Sequence, residues 1–156
     1  MGAAVSQDPD VVPVDLERFA KTWVEAARLP VWFQRSNTYG IAEYTVREDG
    51  RVGVTNTAMG RDSVPTGMTV HGIATPTHYS GQLMVSFGWF TPQGKYHVYW
   101  LDPDYTVAAV GSPDRRTLWI LTARETARPG DGETLKTVVA AMKEKGFDVD
   151  KLYWSC

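Results

Sequence analysis

Cysteine is nearly missing from this chain. The one present, Cys156, is the last of 156 residues, so no intramolecular disulfide can form and the fold must hold by packing alone. Long apolar runs are missing too: nothing approaches the roughly 20 residues that cross a bilayer as a helix. Neither sign of charge dominates. Sixteen Lys and Arg stand against eighteen Asp and Glu, a formal charge of −2, and the signs are mixed along the chain. That excludes the basic face that neutralises phosphates, so no nucleic acid is expected as a partner.

Signatures of chemistry are also absent. There is no G-x-S-x-G and no S-x-x-K, so no activated nucleophile is indicated. His71, His78 and His97 stand apart, with no H-E-x-x-H and no paired Cys, so neither a metal nor a cofactor is expected. "GSPDR", Gly111 to Arg115, lacks the Lys-Ser/Thr of a phosphate loop and reads as a hairpin turn. The start, "MGAAVSQDPD", has neither a charged n-region nor an apolar h-region. Localisation is left open between cytoplasmic and a trimmed periplasmic or membrane-associated form. "MGAAVS" does fit the short M-G-x-x-x-S myristoylation pattern, which matters only in a eukaryotic cell.

What is there is a single domain's worth of apolar and aromatic residues. The chain is 43% hydrophobic and 12% aromatic, with six Trp, enough for one real core. Period two dominates. "YGIAEYTV" from Tyr39 ends at the turn "REDG", and "RVGVTNT" from Arg51 puts Val52 and Val54 on one face. "MTVHGIAT", "QLMVSF", "KYHVYWL", "YTVAAVG" and "TLWILTA" follow, separated by Gly/Pro/Asp turns. With the segment around Trp23, eight strands are expected. One stretch has helical period: "GETLKTVVAAMKEKG" spaces Leu135, Val138, Val139 and Met142 on one side, with Gly146 placed to end the helix. "DKLYW" predicts one more short strand, and "VDLERF" a single helical turn.

Eight sequential strands with short turns predict an antiparallel up-and-down meander. Closure into a β-barrel removes exposed edges, and eight strands enclose either packed side chains or one small ligand. A two-sheet sandwich is the alternative, but it usually needs longer crossing connections. The fold class is therefore all-β: an eight-stranded antiparallel barrel with one C-terminal α-helix packed outside. Residues 1–13 are expected as a flexible N-terminal tail and 14–154 as a single barrel domain.

In "VDLERFAKTWVEAARLP", "LMVSF", "LDPDYTVAAVGSPDRRTLWIL" and "EKGFDVDKLYW" the chain resembles the lipocalin family. It is most similar to the branch of bacterial outer-membrane lipocalins, apolipoprotein D and plant temperature-induced lipocalins. The resemblance runs from Val14 to Trp154, with the motifs in the family's order. It implies a calyx whose floor is plugged by Trp23. The family motif G-x-W-Y-E-I-A-R is altered, with Lys21 in place of Gly and Val24 in place of Tyr. Ala123 stands where the family has the Arg that packs over the motif Trp. Arg124 can substitute only if the strand slips or bulges by one residue.

The resemblance puts Trp23 inside, so period two turns Glu25 and Ala27 inward as well, and the same alignment implies the faces of the other strands. The inward set is then Glu25 and Ala27; Ala42, Tyr44 and Val46; Val52, Val54 and Asn56; Val70, Gly72 and Ala74; Leu83, Val85 and Phe87. It continues with Tyr96, Val98 and Trp100, Val107 and Ala109, then Trp119 and Leu121. Trp23, Val107 and Leu121 read as floor. The ligand-binding candidates are Tyr44, Val54, Asn56, Val70, Val85, Phe87, Val98, Trp100 and Trp119, with Trp32 and Phe33 in a lid over the mouth. Asn56, polar on an apolar row, needs a partner. His71 and His97 fall outward.

Glu25 is the anomaly, because an ionised carboxylate facing inward is costly to bury alone. It is expected in a salt bridge with Arg28 or Arg124. The other reading is a carboxylate of raised pKa that acts on a ligand. The resemblance thus implies binding, storage or transport of a small hydrophobic ligand: a fatty acid, lysophospholipid, retinoid or pigment. The alternative is a barrel isomerase or cyclase with Glu25 as acid/base. Peripheral membrane contact, and a monomer or homodimer, are left open.

Overall fold

The turn residues divide the chain where the alternation breaks. The computed structural model describes residues 5–31, 38–60, 62, 64–87, 94–124 and 132–155. The helical turn α1 spans Leu16–Phe19, and Asp15 caps it by accepting from the Glu17 N–H. Strands follow as β1 (Thr22–Arg28), β2 (Thr38–Val46), β3 (Val52–Gly60), β4 (Pro65–Pro76) and β5 (Gln82–Ser86). Then come β6 (Gly94–Leu101), β7 (Val107–Gly111), β8 (Leu118–Ala123), helix α2 (Gly132–Glu144) and the two-residue strand β9 (Tyr153–Trp154).

All pairings are antiparallel and sequential from β2 to β8, and β1 joins β8 on one side and β2 on the other. That double pairing closes an eight-stranded barrel and leaves no free edge between first and last strands. β9 adds beside β1, pairing Ala27 with Trp154 and Arg28 with Tyr153.

Helix α2 covers the outside. Val138 and Met142 are fully buried in a cluster with Ala27, Tyr99, Ala109, Leu118, Ile120 and Phe147. The helix stops at Gly146, whose φ of 95° is open to glycine at little cost. The Phe147 N–H then donates to the Met142 carbonyl at 3.1 Å.

This outer layer explains where the period-two reading of faces fails. Every residue of β7 is buried, because the lumen lies on one side and α2 on the other, and "VAAVG" carries no polar residue to mark a face. Val107 and Ala109, expected inward, join the outer cluster, and Ala108 and Val110 face the lumen. A bulge between Val98 and Trp100 reverses parity in β6, so Trp100 lies outward against the outer cluster. A second bulge between Glu25 and Ala27 turns Ala27 outward and brings Arg28 opposite the inward Trp119.

The stretch 5–13, expected as a tail, runs along the outside of β5 and β6. The Val12 N–H donates to the Val98 carbonyl at 2.9 Å, and the Asp8 N–H to Gln82 Oε1 at 2.7 Å. Asp8 also accepts from the Tyr99 hydroxyl at 2.7 Å and pairs with His97 Nδ1 at 3.1 Å. Arg115 holds Asp10 at 2.7 Å, and Lys145 Nζ donates to the Asp10 carbonyl at 2.8 Å.

Candidate functional site

The floor is built from β1 and α1. Trp23 is fully buried, and its indole N–H donates to the Phe19 carbonyl at 2.9 Å. The Phe19 ring lies 5.1 Å from Trp23 and stacks on Tyr44 at 5.5 Å. The cation over Trp23 is Lys21, with Nζ 5.6 Å from the ring centroid and donating to the Tyr105 carbonyl at 3.0 Å. The slip that would bring in Arg124 does not occur. Trp23 pairs with Ala123 in regular register, and Arg124 is exposed. Lys21, which replaces the family's Gly, thus supplies the charge that its Arg would have brought.

Above the floor two tyrosines meet across the lumen. Tyr44 on β2 and Tyr96 on β6 belong to strands that are not neighbours. Their hydroxyls are 2.9 Å apart and their rings meet edge-on at 83°. Burial pushes the Tyr44 phenol up to about 12, against the smaller opposing effect of its bond to Tyr96. Burial, then the charge and hydrogen bond of Tyr44, pushes Tyr96 up as well. Both phenols are neutral at any ordinary pH.

Below this bar the lumen is packed. Val98 has no accessible surface, and Leu83, Val52 and Leu121 are buried. Beyond it, away from the turn after Val46, inward side chains keep accessible surface although the barrel wall surrounds them. Ala42, Asn56, Phe87 and Trp119 are all of this kind. Their accessible surface lies on the lumen side of the wall, and three of the four side chains that carry it are apolar. Gly72 helps to form the lumen: a Cβ there would come within 2.6 Å of the Phe87 ring. Among the described residues nothing hydrogen-bonds the Asn56 side chain, so its amide is available to the space it borders.

Glu25 and Arg28 stand in the wall of the same lumen. Arg28 Nη1 lies 2.6 Å from Glu25 Oε2 and donates to the Thr38 carbonyl at 2.8 Å. Ser155 Oγ donates to the same carboxylate oxygen at 2.9 Å, and the guanidinium lies 4.9 Å from the Tyr153 ring centroid. Both side chains are almost wholly buried. Of the two partners expected for Glu25, Arg28 is therefore the one in contact. The pair is neutral as a unit, so it adds no net charge to the chamber.

The sequence-based candidates now separate. Tyr44, Asn56, Phe87 and Trp119 border the internal space. Val54 and Val85 lie on the inward face in the buried cluster beneath it. Val70 shares that face but is 46% exposed, which puts it at the open end of β4. Val98 is sealed in the floor and Trp100 is outside the barrel, so neither reaches the space. Trp32 and Phe33 lie outside the described residues. Tyr96, inward by the sequence reading, is not among the ligand-binding candidates; its opposition to Tyr44 needs the strand order, which periodicity alone does not supply.

A closed antiparallel barrel with an aromatic floor, an internal apolar space and one outer helix defines a calycin. The family model described as a lipocalin-like domain matches residues 14–156. The chain is 35% identical over 147 residues to the outer membrane lipoprotein Blc of Escherichia coli, covering 90% of this chain and 77% of that one. It is 33% identical over 151 residues to temperature-induced lipocalin-1 of Arabidopsis thaliana, with the same shares of each. Its fold matches the solved structure of insecticyanin from the tobacco hornworm Manduca sexta. There the TM-score is 0.70 at 21% identity, over 96% of this chain and 85% of that one. The chain belongs to the lipocalin family.

Proposed function

We propose that this protein takes up a small hydrophobic ligand, of the fatty acid, lysophospholipid, retinoid or pigment classes, and stores or carries it inside the barrel. The observation that carries this reading is the division of the lumen. A packed floor ends at the Tyr44–Tyr96 pair, and apolar side chains beyond it keep accessible surface inside the wall. Affinity comes from apolar area removed from water, about 25 cal/mol per Å² before the entropic costs of association. Membership of the lipocalin family supports the same reading. Pairing of Glu25 with Arg28 and Ser155 weighs against an acid/base role, because the carboxylate is already engaged by protein donors. Peripheral membrane contact is part of the proposal, supported by exposed Val64, Met68 and Val70 around the β3–β4 connection.

Native mass spectrometry tests it. The purified protein, mixed with retinol, palmitate and lysophosphatidylcholine in excess, is expected to carry one ligand per chain. Only bare protein, with all three present, would sink the binding function. The same spectra read whether the carrier is a monomer or a homodimer.

A further inference from the structure

We propose that the Tyr44–Tyr96 pair is a polar anchor at the bottom of the chamber, and that it selects ligands whose buried end is an uncharged hydroxyl or carbonyl. This rests on the binding function proposed above and narrows the chemistry of its ligand. Two phenols carry two protons between them, and their single mutual hydrogen bond uses one. The second proton, on the accepting oxygen, has no acceptor among the described residues, and lone pairs are also left over. An unsatisfied hydroxyl in apolar surroundings is costly, so a group that completes the pair gains what it would otherwise lose.

The space for such a group lies on one side only. Phe19 stacks beneath Tyr44, and Val98 and Trp23 seal the floor. Accessible surface persists on the far side, at Asn56, Phe87 and Trp119. The charge preference follows from the same surroundings. Both phenols are held neutral by burial, so the pair offers no anion to an amine. Among the described residues no cation contacts the pair, and the guanidinium of Arg28 is already engaged by Glu25. A carboxylate pushed down to the tyrosines would therefore lose the hydration of its charge with no cation and only the spare phenol proton to offset it. A hydroxyl can both donate to and accept from the pair, and a carbonyl can take the spare proton.

The test is displacement of the neutral fluorophore N-phenyl-1-naphthylamine by 1-decanol, decanal and decanoate at pH 7.5. Decanol and decanal are expected to displace it at concentrations about tenfold lower than decanoate, as one or two hydrogen bonds predict. The decisive variant is the double change Tyr44→Phe with Tyr96→Phe, because either single change leaves one hydroxyl that can still bond the ligand. It should raise the decanol dissociation constant, corrected for the variant's own fluorophore affinity, about tenfold. An apolar pair of the same shape is expected to keep the fold, and an unchanged far-UV circular dichroism spectrum reports that it does. Equal displacement by decanol and decanoate, or an unchanged decanol affinity in the double variant, overturns the inference while the binding function stands. Absence of saturable fluorophore binding in the native protein overturns both.

Discussion

A carboxylate and a guanidinium buried in a barrel wall are a risk taken at the level of single residues. Glu25 and Arg28 are each stripped of water, and their contact, with Thr38 and Ser155, offsets that loss. Glu25→Ala should destabilise the fold by about 3 kcal/mol in urea denaturation, since it strands a buried guanidinium. The double change Glu25→Leu with Arg28→Met should recover most of that loss. A neutral single variant would contradict the account of the wall. Part of this was legible in the sequence: an inward Glu demands a cation, and Arg28 was one of two within reach. The choice between Arg28 and Arg124 was not legible, because it depends on a bulge that turns Arg28 to the inner face. How the floor closes was not legible for a related reason. The resemblance points to an arginine at the end of β8, but the charge over Trp23 comes from Lys21, the residue before β1.

Among the elements, the strands and turns follow directly from alternation broken by Gly, Pro and Asp, and α2 follows from its 3.6-residue period. Faces were legible only where water touches one side of a strand. β2 and β3 alternate, and their inward residues were assigned correctly; β7 is buried on both sides and gave no signal. The N-terminal stretch shows another limit, since "QDPD" reads as solvent-loving until its acids meet partners from three separate elements. Asp8 faces His97 and Tyr99 on β6 and Arg115 after β7, with Asp10 beside it and Lys145 after α2 close by. Burial raises the Asp8 carboxyl, but the hydrogen bonds from Tyr99, the Asp10 N–H and His97, with the charge of Arg115, outweigh it and leave it below its ordinary 3.8. The unfolded chain therefore takes up a proton at Asp8 before the folded one does. The stability that Asp8 contributes is full above about pH 4 and fades as pH falls through the lower folded value. Thermal melts of native protein and Asp8→Asn between pH 7 and pH 3 should differ at the neutral end and converge at the acid end. A constant difference across that range would show that the carboxylate does not hold this segment.

For the whole molecule, one wall serves two interiors. The outer face of β6, β7 and β8 packs on α2, which stiffens that side of the barrel; the inner face is filled near the floor and left partly uncovered beyond the tyrosine pair. Barrel closure was legible from eight short strands and short turns. The depth of the chamber was not, since it depends on two side chains meeting across the lumen from strands 52 residues apart in sequence. The central claim is that an apolar chamber lies above Tyr44 and Tyr96. Dry apolar cavities of sufficient size take up small aromatic molecules, so diffraction from crystals soaked in bromobenzene, read through the anomalous signal of bromine, tests it most directly. A bromine peak is expected inside the barrel among Asn56, Phe87 and Trp119. Bromine found only on the outer surface or beneath α2, with none inside the barrel, would contradict it.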